Sequence, residues 1–161
     1  MKYFPGKPLP LGATYLGKHT QFSIFSRNAD QIYLQFFKNS RDSTPKFEIR
    51  LEPEHFRTGD IWHVAVKGVK PGQLYGYRID GPYAPLSGMR FNKNKLLVDP
   101  LAKAVTGNFN WTLSDARGYD INSGDRDISF STLDSCSGAP KSILLHDNFN
   151  WGNDRNPRTS L

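Results

Sequence analysis

Residues 75–104 constrain the fold more than any other stretch, because they place a strand, a turn cluster and a helix-start signal in succession. From Tyr75 to Asp80, large apolar residues alternate with small or charged ones, the period-two pattern of a strand with one buried face. Gly81-Pro82 interrupts that pattern and ends the strand. Asp99-Pro100 combines an N-cap carboxylate with a proline suited to the first helical position, and therefore predicts a short helix from Pro100 to Val105.

Four further segments have the composition of strands. Each shows alternation or enrichment in β-branched and aromatic residues, and turn-forming residues separate them. They are Gln21–Ser26, Gln31–Phe37, Lys46–Leu51 and Ile61–Val66, in addition to Leu74–Asp80. Trp62 is predicted to be a core residue because Val64 and Val66 lie on the same face of its strand. Five short strands at this spacing favour an all-β sandwich.

The length of 161 residues limits the number of domains. One ordinary core fits this length, and we divide the chain into a sandwich at residues 1–105 and an irregular, polar extension at residues 106–161. A (β/α)8 barrel needs at least ~200 residues. We therefore expect no catalytic barrel within these residues.

Three motifs resemble the N-terminal domain of isoamylases and bacterial glycogen-debranching enzymes. The densest match is the strand and turn YGYRIDGPY followed by RFNKNKLLVDPLAKA. The second is PLGAT with QFSIFS, from Pro10 to Ser26. The third lies near the end of the chain, at Ala139–Ser142 and in FNWGNDRNPR, from Phe149 to Arg158. The resemblance extends over the whole chain and departs from the family pattern at Met89, Leu101 and Asn150.

The resemblance implies an immunoglobulin-like β-sandwich of the carbohydrate-binding module 48 kind, with an irregular C-terminal extension. It also implies an accessory role in an enzyme that hydrolyses α-1,6 branch points of glycogen or limit dextrin, with α-glucan as the partner. The catalytic residues would then lie in a separate barrel, and no cofactor is expected. The alternative is a purely structural domain that packs on the barrel and binds no sugar by itself.

Candidate sugar ligands follow from the chemistry of pyranose rings, which pack on aromatic faces while polar side chains bond their hydroxyl groups. Tyr83 stands at the Gly81-Pro82 turn and is the best candidate for an exposed ring. Arg78 and Asn92 belong to the same family motif, and we expect them to contact sugar beside Tyr83. The resemblance also indicates residues that would dock on the barrel, namely Arg90, Phe91, Trp151 and Arg155.

Two patterns imitate catalytic or metal sites. Gly76-Tyr77-Arg78-Ile79-Asp80 spells the nucleophile motif of the α-amylase superfamily, but a predicted strand without a barrel offers no pair of carboxyl groups across a scissile bond. We expect Arg78 and Asp80 to form a surface ion pair instead. The four histidines lack the spacing of a zinc site, so no metal is expected.

The net charge of +6 raises the question of nucleic-acid binding. Residues 1–105 hold 16 Lys/Arg and 8 Asp/Glu, a balance of +8, whereas residues 106–161 hold 5 and 7, a balance of −2. The basic residues are scattered singly along the sequence, which favours a solvated surface. A third hypothesis, a basic β-domain that binds single-stranded nucleic acid, would need aromatic platforms on a basic strand face. Tyr75 and Tyr77 face away from Arg78, so we expect no nucleic-acid partner.

The extension contains aromatic residues among many polar ones, namely Phe109, Trp111, Phe130, Phe149 and Trp151. Such a segment cannot build its own core, so we expect it to cover a neighbouring surface and to promote self-association where rings stay exposed. The sequence shows no apolar run of signal-peptide or membrane-spanning length. A cytoplasmic location and no membrane partner are the corresponding expectations.

Overall fold

The computed structural model describes residues 1–107, 114–146, 150 and 152–155. Its elements, in chain order, are β1 (Tyr3–Pro5), β2 (Gly12–Tyr15), β3 (His19–Phe25), β4 (Gln31–Phe37), β5 (Phe47–Leu51), α1 (Pro53–Phe56), β6 (Arg57–Thr58), β7 (Ile61–Lys67), β8 (Leu74–Asp80), β9 (Tyr83–Ala84), β10 (Met89–Arg90) and β11 (Ser142–Ile143). Short 3-10 turns occur at Pro85–Ser87, Ser114–Ala116 and Arg126–Ile128.

Two antiparallel sheets form the predicted sandwich. The first sheet has the strand order β1-β7-β3-β2, with β6 also paired to β7. The second has the order β11-β8-β4-β5. A separate hairpin joins β9 to β10. The five strands predicted from the sequence are confirmed, and two of them, β4 and β8, begin and end where the alternation predicts. The immunoglobulin-like β-sandwich is therefore confirmed.

The core fills the space between the inner faces of the two sheets. Phe22 of β3 contacts the rings of Phe36 and Tyr75 from the other sheet, with ring centroids 5.5 and 5.0 Å apart. Trp62 is fully buried, as predicted, and its Nε1 donates a 3.0 Å hydrogen bond to the carbonyl of Ser26. Burial of these rings contributes to the hydrophobic stabilisation of the domain.

The N-terminal segment covers the outer face of the first sheet. Gln21 accepts a hydrogen bond from the Lys7 amide and donates one to the Leu9 carbonyl, and Ser23 donates to the Pro8 carbonyl. Polar residues on this face are thus buried under residues 7–9 and satisfied by their backbone. His63 is buried on the same face. Its Nε2 lies 2.9 Å from Thr58 Oγ1, while its Nδ1 has no hydrogen-bond partner among the described residues.

The outer face of the second sheet is covered by chain that follows β10. Phe37, Leu96, Cys136 and Ala139 form a second buried cluster there. β11 pairs with the start of β8, with Ser142 opposite Tyr75. Residues on both sides of position 105 therefore build this layer, and the division into a sandwich at residues 1–105 and an extension at residues 106–161 stays a prediction.

The helix predicted at residues 100–105 is wrong. Asp99 does act as a cap, because its Oδ1 accepts a 2.9 Å hydrogen bond from the Leu101 amide, but the result is a single turn. The next residues extend instead, and Val105 forms a β-bridge with Ser142. Pairing with the edge of the sheet satisfies more backbone groups than one helical turn would. The sequence also gave no signal for α1, which is four residues long.

Candidate functional site

A cleft opens between the hairpin side of the second sheet and the segment that covers it. Its volume is about 580 Å³. Ile79, Phe91 and Leu97 supply apolar lining, and Asn28, Arg90 and Asn92 supply polar lining. Ala116, Gly118 and Ser135 form the wall that belongs to the extension. Clefts of this size with mixed lining are typical of sites for small ligands.

Arg78 binds the extension from the outer face of the second sheet. Its side chain lies on the outer face of β8 but is buried, and one terminal nitrogen, Nη2, contacts both carboxylate oxygens of Asp134, at 2.7 and 2.9 Å. Nε donates to Gln35 Oε1, and Nη1 donates to the Lys93 carbonyl. The surface ion pair expected between Arg78 and Asp80 is therefore wrong. The extension supplies a carboxylate to Arg78, and Asp80 pairs with Lys93 at 3.2 Å.

Asn92 and Lys95 bind the backbone of the extension. Asn92 Nδ2 donates a 2.8 Å hydrogen bond to the Ser131 carbonyl, and its Oδ1 accepts one from the Asn94 amide. Lys95 Nζ contacts three oxygens, those of the Asp115 carbonyl, the Ser131 hydroxyl and the Leu133 carbonyl. Burial lowers the pKa of Lys95, and the nearby carboxylates of Asp115 and Asp134 oppose this shift only in part. Sequence reasoning missed this role of Lys95, because its partners lie 20 to 38 positions away.

Tyr83 lies at the hairpin and is half-buried. Its ring meets the ring of Phe130 edge to face, with centroids 4.8 Å apart, and its hydroxyl donates to the Ser129 carbonyl. Phe130 is 42% exposed. The two rings therefore form a partly exposed aromatic pair, which we call the Tyr83–Phe130 pair. Sequence reasoning assigned Phe130 only to a docking surface.

The other motif residues lie in different surroundings. Arg90 is exposed and binds Asp127 through its guanidinium, so it lies near the Tyr83–Phe130 pair. Phe91 packs against Gly81 and the main core and also lines the cleft. Arg155 is exposed. Trp151 lies outside the described residues, as do Phe109, Trp111 and Phe149.

Three carboxylates around this region are engaged in ion pairs. Asp80, Asp127 and Asp134 pair with Lys93, Arg90 and Arg78 respectively. Gly76–Asp80, the imitation of a nucleophile motif, is the middle and end of strand β8. Among the described residues, no three histidine, cysteine or acidic side chains are grouped so that they could hold a metal ion. The side chains of this region therefore suit non-covalent binding, in which a ligand packs on aromatic rings and forms hydrogen bonds.

One chemically different feature is the buried carboxyl group of Asp99. Its Oδ2 accepts a 2.8 Å hydrogen bond from the Tyr75 hydroxyl inside the sandwich. Burial raises the pKa of Asp99 and also raises the pKa of Tyr75. Both groups are buried, so this pair belongs to the packed interior and not to an exposed site. Within the described part of the chain, no helix is long and apolar enough to cross a membrane.

Comparison with known proteins places these features in a family. The family model "Carbohydrate-binding module 48 (Isoamylase N-terminal domain)" matches residues 10–102. A "Glycogen debranching enzyme" from Erwinia tasmaniensis is 40% identical over 154 residues, which are 95% of this chain and 21% of that protein. A "Glycogen operon protein GlgX homolog" from Mycobacterium tuberculosis is 35% identical over 156 residues, or 97% of this chain and 21% of the relative. The chain thus spans about a fifth of the length of these curated relatives.

Solved structures support the same fold at lower sequence identity. The product complex of SpuA, described as a multi-modular glycogen-degrading pneumococcal virulence factor, has a TM-score of 0.53 and 18% identity, covering 97% of this chain and 14% of that chain. The pullulanase SAP from GBS, in complex with maltotetraose, has a TM-score of 0.53 and 17% identity, covering 89% of this chain and 15% of that chain. The sandwich, the motif residues and the matched span agree, and the chain belongs to the carbohydrate-binding module 48 (isoamylase N-terminal domain) family.

Proposed function

We propose that this chain serves as the accessory domain of a glycogen-debranching glycoside hydrolase and contacts α-glucan through the Tyr83–Phe130 pair. The family description and the names of the relatives support the substrate class. The observation that carries the assignment is the partly exposed edge-to-face contact of two rings beside a mixed apolar and polar cleft. The activity of the whole protein, hydrolysis of α-1,6 bonds in glycogen catabolism in the cytoplasm, is part of this proposal.

The chemistry of the pair suits an oligosaccharide. Sugar C–H groups pack on ring faces, and Tyr83 and Phe130 together offer a larger apolar surface than either ring alone. The Arg90–Asp127 ion pair lies beside them and is exposed, with an Nη2 to Oδ2 distance of 3.3 Å. Its charged groups offer donors and acceptors to sugar hydroxyls. The surface is small, and a dissociation constant on the order of 0.1 to 1 mM is expected.

Arg78 and Asn92 keep a role in this proposal, but through the segment that they hold. Both side chains are buried and bind residues 131–134, which directly follow Phe130. They thereby fix the position of Phe130 against Tyr83. In the proposed site, Tyr83 contacts sugar, whereas Arg78 and Asn92 position the contact surface.

The proposed partner within the whole enzyme is a catalytic barrel. Arg90, Phe91, Trp151 and Arg155 stay the proposed docking residues, and Arg90 and Arg155 are exposed. The exposed apolar side chains Leu97, Leu101 and Val105 extend this surface on the same stretch of chain. Without a partner domain, such side chains favour weak self-association, which sedimentation at several concentrations measures.

Affinity electrophoresis in gels containing glycogen tests the sugar contact. The parent chain should be retarded relative to a gel without glycogen, and Tyr83→Ala and Phe130→Ala should each migrate faster than the parent. Tyr3→Ala is the matched control, because Tyr3 is 44% exposed on the other sheet and contacts Phe56. This control should migrate like the parent.

Two results would change the assignment. Equal retardation of the parent, Tyr83→Ala and Phe130→Ala would place the sugar contact elsewhere on the domain. Absence of retardation for the parent itself, at glycogen concentrations well above the expected dissociation constant, would assign the domain the purely structural role.

A further inference from the structure

Two turns bring four basic side chains together at one end of the second sheet. Lys38, Arg41 and Lys46 belong to the turn between β4 and β5, and Lys70 belongs to the turn between β7 and β8. All four are exposed. The turns are neighbours because β4 ends where β8 begins, with Phe37 opposite Leu74. Lys70 is distant from the other three residues in the sequence, and the pairing of β4 with β8 brings it next to them.

Hydrogen bonds hold the two turns against each other. Gln73 Nε2 donates a 2.8 Å hydrogen bond to the Phe37 carbonyl, which joins the second turn to the end of β4. Cys136 Sγ lies 3.3 Å from the Asp42 carbonyl, so the first turn is also tied to the extension. The basic residues are therefore carried by turns with fixed relative positions.

The four cations line two adjoining concavities. One has a volume of about 330 Å³ and includes Lys38, Lys46 and Lys70. The other has a volume of about 630 Å³ and includes Lys38, Arg41 and Lys46. Lys38 and Lys46 line both, so the two concavities form one basic recess. Ser43 and Thr44 contribute hydroxyl groups to it.

The charge of this recess is only partly compensated from within, because one acidic residue faces four basic ones. Asp42 is its acidic lining residue among those described, and the turn itself already binds both carboxylate oxygens. Oδ2 accepts hydrogen bonds from the Lys38 and Asn39 amides, and Oδ1 accepts one from Asn39 Nδ2. These bonds lower the pKa of Asp42. The described ion pairs include none of the four cations.

A fifth cation lies beneath the recess. Lys141 is fully buried, and its Nζ donates to the carbonyls of Cys136 and Ala139, which carry no compensating charge. Its charge lies close enough to Asp42 to help lower the pKa of that carboxyl group. The charge of Lys141 therefore adds to the positive potential around Asp42.

From this excess of positive charge in a concave site we propose that the basic recess binds a phosphate group, either as free inorganic phosphate or as the monoester of a sugar. Lysine ammonium groups bind phosphate as point charges, and hydroxyl groups add hydrogen bonds to its oxygens. Phe37 is the aromatic residue on the lining, and it is 2% exposed. Stacking of nucleic-acid bases needs an exposed ring, so the site fits a small anion rather than a single strand.

This recess is separate from the proposed glucan contact. It lies at the Leu74 end of β8, whereas the Tyr83–Phe130 pair follows the Asp80 end. Seven residues of strand place the two ends about 20 Å apart. Loss of glycogen binding and loss of phosphate binding are therefore independent outcomes, produced by different substitutions.

Amide NMR of the 161-residue chain at constant ionic strength tests the proposal. Inorganic phosphate and glucose 1-phosphate are titrated separately, with glucose and a short oligothymidylate as comparison ligands. Saturating shifts are expected for amides of residues 38–46 and 68–73 with both phosphate compounds, and no shifts there with glucose. Tighter binding of glucose 1-phosphate would identify a sugar phosphate as the ligand, and equal binding would identify free phosphate.

Charge-removal variants decide whether the recess itself binds. Lys46→Ala/Lys70→Ala should weaken phosphate binding by about 3- to 10-fold, since two exposed charge contacts are lost. Arg41→Gln/Lys70→Gln is a second pair with the same expectation, should the first perturb the spectrum. Lys7→Ala/Lys93→Ala removes two exposed lysines elsewhere and should leave the affinity unchanged.

The proposal is overturned by several results of the same titrations. Shifts that grow linearly and spread evenly over basic surfaces would indicate nonspecific screening. An unchanged affinity in both recess variants would exclude the site. Tighter binding of oligothymidylate than of glucose 1-phosphate would assign the recess to a polymer instead of a small phosphate ester.

Discussion

Arg78 and Asp134 lie 56 positions apart in the chain and meet across 2.7 Å on the outer face of the second sheet. Arg78 is buried, whereas the Asp134 side chain is 59% exposed. The pair therefore joins the buried guanidinium of Arg78 on β8 to a solvent-exposed carboxylate on the extension. The pair matters for stability because, without Asp134, the buried guanidinium of Arg78 would lack a counter-charge, and such a state is unfavourable.

Asp134→Ala should consequently destabilise the chain by about 1 to 2 kcal/mol, a value reduced from that of a fully buried pair because Asp134 is exposed. Urea unfolding followed by tryptophan fluorescence measures this loss. Asp80→Ala is the control, because it breaks the exposed pair with Lys93 and should change stability by about 0 to 1 kcal/mol. Equal effects of the two substitutions would mean that Arg78 is not held by Asp134.

Stability should fall as pH decreases below about 6.5 because of His63. Burial lowers the pKa of His63 in the folded protein. The unfolded chain then binds a proton at a higher pH than the folded chain, so this contribution is complete above about pH 6.5 and is lost at lower pH. The loss should not exceed about 1.4 kcal/mol per pH unit from this one group.

Unfolding midpoints at about pH 7.5, 6.5 and 5.5 measure the effect of His63. These pH values lie above, at and below the pKa of about 6.5 expected for histidine in the unfolded chain. His63→Gln should flatten the dependence, and His55→Gln should not, because His55 is exposed. A parent chain with the same stability at all three pH values would contradict the prediction.

Gly76→Ala should be strongly unfavourable. A Cβ at Gly76 would lie 2.9 Å from Leu96 Cδ1 and 3.1 Å from the Leu97 carbonyl oxygen. Overpacking of this kind typically costs about 1 to 3 kcal/mol. Gly118→Ala meets no atom within 4 Å and should leave the melting temperature unchanged or slightly raised. Thermal unfolding compares the two, and similar melting temperatures would refute the close packing of β8 against residues 96–97.

Limited proteolysis with trypsin should cut after Arg126 before other sites in the described extension. Arg126 is exposed and has a φ of +47°. The following residues 129–136 are held by Tyr83, Asn92 and Lys95, so the two pieces should stay together in native size-exclusion chromatography. Mass spectrometry identifies the cut. Release of the C-terminal piece would show that these contacts do not hold the extension.

The strands were predictable because their signal is local. Alternation in Leu74–Asp80 reports directly which side chains face the core, and the turns between strands carry their own glycine and proline signals. The helix after Asp99-Pro100 was wrong because the capping chemistry is the same for a helix and for a single turn. Pairing of Val105 with Ser142, 37 positions later, decides between them.

The site was less predictable, since it depends on contacts between distant segments. The motif indicated Tyr83, Arg78 and Asn92, but nothing near them in the sequence points to Phe130 or Asp134 as partners. Lys95 is a stronger example. A lysine in a polar stretch is usually solvated, and only the arrival of residues 115–133 makes it a buried donor to three oxygens.

The edge strand β5 limits how copies of this domain can meet. Its backbone pairs with β4 on one side, which leaves the other side as a border of the sheet. Glu48 and Arg50 alternate along that border and are exposed, with Arg50 paired to Glu52. Charged side chains on an edge strand oppose the addition of a further strand. Growth of the sheet from one molecule into the next is thus disfavoured here, and crowding at high concentration should produce reversible contacts between loops rather than fibres.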